Sequence, residues 1–117
     1  MTTPIFKLLI LIKRRPGMTT QEFRDYYENK HSKLGGDIGV TVGMIHYVRR
    51  YLEPLNGGEL EYDVLTECWF KDRDKFEMVA GAVAKGQVAA EVVADEMRFM
   101  DRTKTRFLKV VEYESKM

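Results

Sequence analysis

The sequence predicts an α+β fold from three observations. β-favouring apolar runs occupy residues 5–12, 44–52, 62–70 and 107–113, helix signals fill the first and third gaps between them, and an Asn-Gly-Gly loop fills the second. The order is βαββαβ, which places both helices on one face of a four-stranded antiparallel sheet. A chain of 117 residues accommodates one such domain, taken here as 1–117.

Ile5 to Ile12 is apolar except for Lys7, and Pro16-Gly17 follows as turn punctuation, so this stretch reads as the first strand. Thr19 and Glu22 have capping-box spacing and Met18 can staple onto Phe23, which starts a helix. Its stripe is Phe23, Tyr26, Tyr27 and Leu34, with His31 one turn beyond Tyr27, and Gly35-Gly36 is expected to stop it. Met44 to Leu52 and Tyr62 to Phe70 are β-rich runs flanking Pro54 and Asn56-Gly57-Gly58, a hairpin with a long connection. Asp72 or Asp74 caps a second helix through Phe76, Met78 and Val79, and the Ala- and Val-rich stretch Gln87 to Met97 is expected to continue it past Gly86. Phe107 to Tyr113 closes the chain as the fourth strand, completing a ferredoxin-like arrangement.

Both faces of the first strand are apolar: Phe6, Leu8, Ile10 and Ile12 point one way, Ile5, Leu9 and Leu11 the other. The helices cover one face, so a second copy of the chain is expected to cover the other. Hydrophobic residues at 44% and charged residues at 32% are globular composition. A formal charge of +1 gives no field for nucleic acid or an anionic membrane. The longest apolar stretch is far short of the roughly 20 residues of a membrane span. The single cysteine forms no internal disulfide, and the N-terminal apolar run precedes its basic residues, the reverse of a signal peptide, so a cytoplasmic location is expected.

His31, at the predicted helix end, would have its protonated form stabilised by the helix dipole and so exchange protons near neutral pH; the competing reading is a histidine that only hydrogen-bonds helix carbonyls. His46 reads as a packed or interface histidine. Asp63, Leu65, Glu67 and Trp69 share one face of the third strand; under the helices, Glu67 would be an acid or base with a raised pKa, and otherwise Asp63 and Glu67 pair with Arg49 or Arg50. Those arginines are candidate anchors for a substrate carboxylate. Cys68 points away from Glu67 and reads as a small hydrophobe. Tyr26, Tyr27, Tyr47, Tyr51, Trp69, Phe76 and Phe99 supply aromatic walls, suited to a flat ligand in a cleft between helices and sheet. Phosphate loops, dinucleotide fingerprints, nucleophile elbows and paired Cys-x-x-Cys motifs are absent from the sequence, and two histidines do not build a three-histidine metal site.

Lys13-Arg14-Arg15-Pro16-Gly17-Met18-Thr19, Glu22 to Glu28 and His31 resemble the opening signature of the EthD-like proteins. The similarity continues through Tyr47 to Tyr51, Tyr62-Asp63-Val64, Glu67-Cys68-Trp69-Phe70, Ala94-Asp95-Glu96 and Phe99 to Arg102. The resemblance implies the dimeric α/β-barrel form of the ferredoxin-like fold. Function in that superfamily scatters over decarboxylases, dehydratases and cyclases of aromatic polyketides, muconolactone isomerases, haem-degrading monooxygenases and ether-degradation proteins. Methylmuconolactone isomerases are similar at His31, near Tyr47 and at Glu67 to Phe70. The resemblance favours a proton-transfer role for His31. The expected function is therefore a cofactor-independent lyase acting on a small aromatic or polyketide-like carbonyl compound. His31, Tyr47, Tyr51 and Glu67 are its candidate catalytic residues, and Tyr27, Arg49, Asp63, Trp69 and Phe99 its candidate substrate contacts. A muconolactone-type isomerase and a non-catalytic binder of a small hydrophobe or oxygenase accessory are the alternatives.

Overall fold

The computed structural model describes residues 4–117; Met1–Thr3, the start of the N-terminal run weighed above as a leader, lie outside the described residues. Strands β1 (Phe6–Ile12), β2 (Met44–Tyr51), β3 (Val64–Phe70) and β4 (Arg106–Lys109) form one sheet in the order β2-β3-β1-β4. Each neighbouring pair is antiparallel. This is the ferredoxin-like α+β arrangement, with its helices over one face. The β2–β3 hairpin forms as expected, and its connection turns through Gly57 and Gly58, both at positive φ.

Pairing sets which side chains face the helices. Leu8 lies opposite Cys68 and Ile10 opposite Thr66 on β3, while Tyr47, Arg49 and Tyr51 of β2 lie opposite Cys68, Thr66 and Val64. A register shift between Met44 and His46 lets Met44 and Tyr47, three residues apart, both face inward, leaving Ile45 and His46 exposed. Leu9, Leu11, Val48, Leu65, Glu67, Trp69 and Leu108 fall on the opposite face.

The first helical unit departs from the expectation. α1 (Thr20–Tyr26) begins with the capping box, Thr19 and Glu22 each bonding the other's backbone N–H. It then opens into a π-turn, Tyr27–His31, in which the Ser32 N–H donates to the Tyr27 carbonyl. α2 (Ser32–Thr41) follows without a break. Gly35-Gly36 therefore do not stop the helix. Gly35 and Gly39 serve close packing against β2: a Cβ on Gly35 would sit 2.9 Å from the Tyr47 hydroxyl, and one on Gly39 2.1 Å from the Met44 methyl. Chain reversal comes later, at Gly43 with φ of 95°.

α3 (Arg73–Ala84) is capped by Asp72, whose side chain accepts from the Lys75 N–H. Its predicted continuation past Gly86 fails. Gly86 takes φ of 70°, and the Gln87 N–H donates to the Ala82 carbonyl, a Schellman-type ending that breaks the helix. A separate helix, α4 (Ala90–Glu96), starts afterwards. The fourth strand is also shorter than expected: its ladder ends at Lys109 opposite Leu8, and Val111 and Tyr113 project exposed.

Two apolar clusters fill the helix–sheet interface. Ile12, Phe23, Tyr27, Val64, Phe99 and Met100 form one, while Leu8, Cys68, Phe70, Phe76 and Ala80 form the other; Ile10 and Tyr47 touch both. The helical glycines give a direct test of packing. Gly36→Ala meets nothing closer than 3.9 Å, so it should gain helix propensity and stabilise by about 0.5–1 kcal/mol. Gly35→Ala gains the same propensity but pushes against the Tyr47 hydroxyl. Urea unfolding midpoints should rise for the first and not for the second; equal rises would mean that Gly35 is not a packing glycine.

Candidate functional site

A cleft of about 350 Å³ opens between the two clusters, at the lower end of small-ligand pockets. Aliphatic side chains from β1, α2, β2, α3 and α4 line it, and the polar atoms come from His31, Tyr27, Tyr47, Cys68, Gln87 and Glu96. Val42, Gln87 and Ala89 are exposed and form its rim. Among the lining residues none is Lys or Arg.

His31 sits in the π-turn with 5% of its surface exposed, so it lies within a continuous helix and not at a helix end. The dipole argument therefore does not apply. Its Nδ1 lies 2.8 Å from Asp95 Oδ2, and Asp95 Oδ1 accepts from the Tyr26 hydroxyl at 2.6 Å. Burial pulls the imidazole pKa below its ordinary value, and the Asp95 carboxylate opposes this only in part. Burial likewise pushes Asp95 up, but the bonds from Tyr26 and His31 outweigh it and hold that acid below the usual carboxylate range. At neutral pH the pair is a neutral imidazole donating Nδ1–H to a carboxylate, which leaves Nε2 as a free acceptor. Phe99, fully buried, packs its ring 4.8 Å from the imidazole and fixes its plane.

A hydroxyl chain occupies the sheet side. Tyr27 Oη shares a hydrogen bond with Thr66 Oγ1 at 2.8 Å and another with Tyr47 Oη at 3.0 Å. Burial raises the pKa of both phenols, so both stay protonated at neutral pH. Cys68 also lines the cleft, its thiol pushed up to about 12 by burial, so it is neutral and poorly nucleophilic.

Several predicted residues lie elsewhere. Tyr51 donates to Glu28 at 2.6 Å and does not line the cleft. Arg49 is held by the same Glu28 through two bonds of 2.9 and 2.7 Å, so its guanidinium is not free for a substrate carboxylate. Asp63 ties Arg14 at 2.7 Å near the end of β1. Glu67 and Trp69 face away from the helices: Glu67 pairs with Arg50 and accepts from the Trp69 indole at 3.0 Å, while Trp69 packs against His46 and Lys7. Burial pushes the Glu67 carboxyl up, but these donors more than offset it and the net pKa is lowered, opposite to the expectation for an acid under the helices.

Asp95, Glu96, Thr66 and Glu28 carried no assigned role in the sequence. The available signal was an acidic pair inside the Ala- and Val-rich stretch 87–97, where a charge facing inward has no packing reason.

The comparisons agree with this frame. The EthD domain model matches residues 15–103. Curated proteins give no match. Among solved structures, an ethyl tert-butyl ether degradation (EthD) family protein from Bacillus halodurans is 18% identical, over 94% of this chain and 100% of that one, with a TM-score of 0.63. A hypothetical Arabidopsis thaliana protein is 13% identical over 96% and 91%, with a TM-score of 0.61. A dimeric protein of unknown function and ferredoxin-like fold from Bacteroides fragilis is 13% identical over 91% and 94%, with a TM-score of 0.56. Identities this low speak for the fold, and the family follows from the domain match across most of the sequence: this chain belongs to the EthD domain family.

Proposed function

We propose that this EthD-family chain is a cofactor-independent proton-transfer enzyme of the dehydratase or cyclase type, acting on a small, uncharged, enolisable carbonyl compound with an apolar body. One observation carries the reading: a neutral, Asp95-oriented imidazole and a buried pair of tyrosine hydroxyls share one apolar cleft. His31 Nε2 takes a proton from the carbon next to the carbonyl, and Asp95 stabilises the imidazolium that forms. Tyr47 donates to the oxygen that gains negative charge, while Tyr27 and Thr66 hold its hydroxyl in place. Low dielectric strengthens both effects at the moment charge develops. Isomerisation of a lactone would use the same base. Decarboxylation fits less well, because its substrate is a carboxylate and the lining offers no cation.

We also propose a homodimer. Leu9, Leu11, Val48, Leu65 and Leu108 form an apolar strip on the sheet face that the helices leave uncovered. Light scattering at micromolar concentration should give a mass near twice 13.6 kDa; a monomer mass refutes the dimer.

A substrate-independent assay tests the chemistry. Exchange of the α-hydrogens of 1-tetralone in D2O, followed by proton NMR, should be accelerated by the protein. His31→Ala should lower the enzymatic rate on the order of a hundredfold or more, and Tyr47→Phe by a similar factor. Absence of catalysed exchange, or full activity in His31→Ala, defeats the assignment. Because burial lowers the His31 pKa below 6.5, the base form persists as pH falls past that value. The exchange rate should therefore decline only at lower pH, and a midpoint at or above 6.5 would contradict the buried imidazole.

A further inference from the structure

Glu96 is a buried acid with one poorly aligned salt bridge. It closes α4 immediately after Asp95, is 6% exposed, and lines the cleft that holds His31. Its Oε1 is buried with no hydrogen-bond partner among the described residues. Arg102 Nε forms a salt bridge to it at 3.3 Å but is not aligned to donate a hydrogen bond, and the Arg102 side chain is 39% exposed. Buried polar groups are normally satisfied, and a carboxylate without partners is costly. Such an arrangement is tolerated where the group works.

We propose that Glu96 is the acid that protonates a leaving hydroxyl, which makes the substrate an uncharged β-hydroxy carbonyl compound and the reaction a dehydration. This rests on His31 as the base of the previous section. The step balances as follows. His31 Nε2 removes the α-proton; the electron pair left on carbon becomes the new carbon–carbon double bond as the β carbon–oxygen bond breaks; the Glu96 proton joins the departing hydroxyl as water. The imidazolium then returns its proton to the Glu96 carboxylate, and the net change is loss of one water.

The surroundings fit a neutral acid. Burial raises the Glu96 pKa, Arg102 opposes the rise and Asp95 adds to it. Charged groups facing it are Asp95 on its own helix and Arg102 beyond that helix. His31 and Tyr27 line the same cleft from the π-turn; the sheet contributes Tyr47 and Cys68 as titratable groups, and α3 contributes none. A substrate carboxylate would meet this acid, a neutral histidine and no cation.

The test uses 4-hydroxy-4-phenylbutan-2-one, whose dehydration gives a strongly absorbing enone, alongside the 1-tetralone exchange assay. The protein should dehydrate the hydroxy ketone with a rate that falls on both sides of an optimum, His31 giving the acidic limb and Glu96 the alkaline limb. Glu96→Gln, nearly the same shape, should lower dehydration on the order of a hundredfold, abolish its alkaline limb, and lower dehydration far more than tetralone exchange. Arg102→Gln should keep the plateau rate and move the alkaline limb to higher pH. Dehydration unaffected by Glu96→Gln overturns the proposal, as does a loss reproduced by Arg102→Gln, which would make Glu96 an anchor for that arginine. Catalysed exchange without dehydration removes Glu96 and spares His31; absence of both activities removes both assignments.

Discussion

The π-turn at Tyr27–His31 is the constraint on which the site depends. Inward positions along the first helical unit are Phe23, Tyr27, His31, Gly35 and Gly39, a strict four-residue spacing. In an ideal helix with about 3.6 residues per turn, that spacing rotates the face by about 40° at each step. After four steps the last residue would point nearly away from the sheet. One wide turn takes up part of the excess and keeps the row aligned, so an aromatic anchor, an imidazole and two packing glycines look at the same strip of β2 and β3. The glycines then let β2 approach closely enough for the Tyr47 hydroxyl to reach Tyr27. Register in the helix and hydroxyl geometry on the sheet are thus one feature.

Water exclusion does the rest. The same aliphatic lining that lowers the His31 pKa raises those of Tyr27, Tyr47, Cys68 and Glu96. Each shift favours the neutral form, so burial in the cleft opposes charge on every titratable group that lines it. Under the proposed function, specificity follows from this inventory as much as from shape: an anion entering would lose hydration and find no cation in the lining.

Element order, the hairpin, both caps and the two-faced first strand were legible because each rests on local chemistry: alternation, capping spacing, turn glycines. The misjudged points were those where tertiary contact overrides a local signal. Gly35-Gly36 has the form of a helix stop, yet close approach to Tyr47 and Met44 supplies another reason for glycine. Gly86, read as tolerated inside a helix, ends one. Val110 to Tyr113 has strand composition, but the ladder with β1 ends at Lys109 and composition alone does not hold a strand. His31 and Tyr47, candidates from the sequence, both line the cleft, while Asp95 and Glu96 have no local signal that assigns them a role, because only folding brings α4 beside the π-turn.

Glu67 and Glu96 show why burial alone does not assign a role. The two residues have similar exposed fractions, 8% and 6%, though the Glu96 carboxyl group is the more deeply enclosed. Alternation along β3 set Glu67 apart from Cys68, but only the packed structure says which face the helices take. On the outer face Glu67 finds Arg50 and the Trp69 indole and is held as a carboxylate. Glu96, on α4 and facing the cleft, has a salt bridge to Arg102 that is not aligned as a hydrogen bond, and desolvation outweighs it. Similar exposure therefore goes with a lowered carboxyl pKa in one place and a raised one in the other. The difference lies both in the donors aligned within reach and in how deeply each carboxyl group is enclosed.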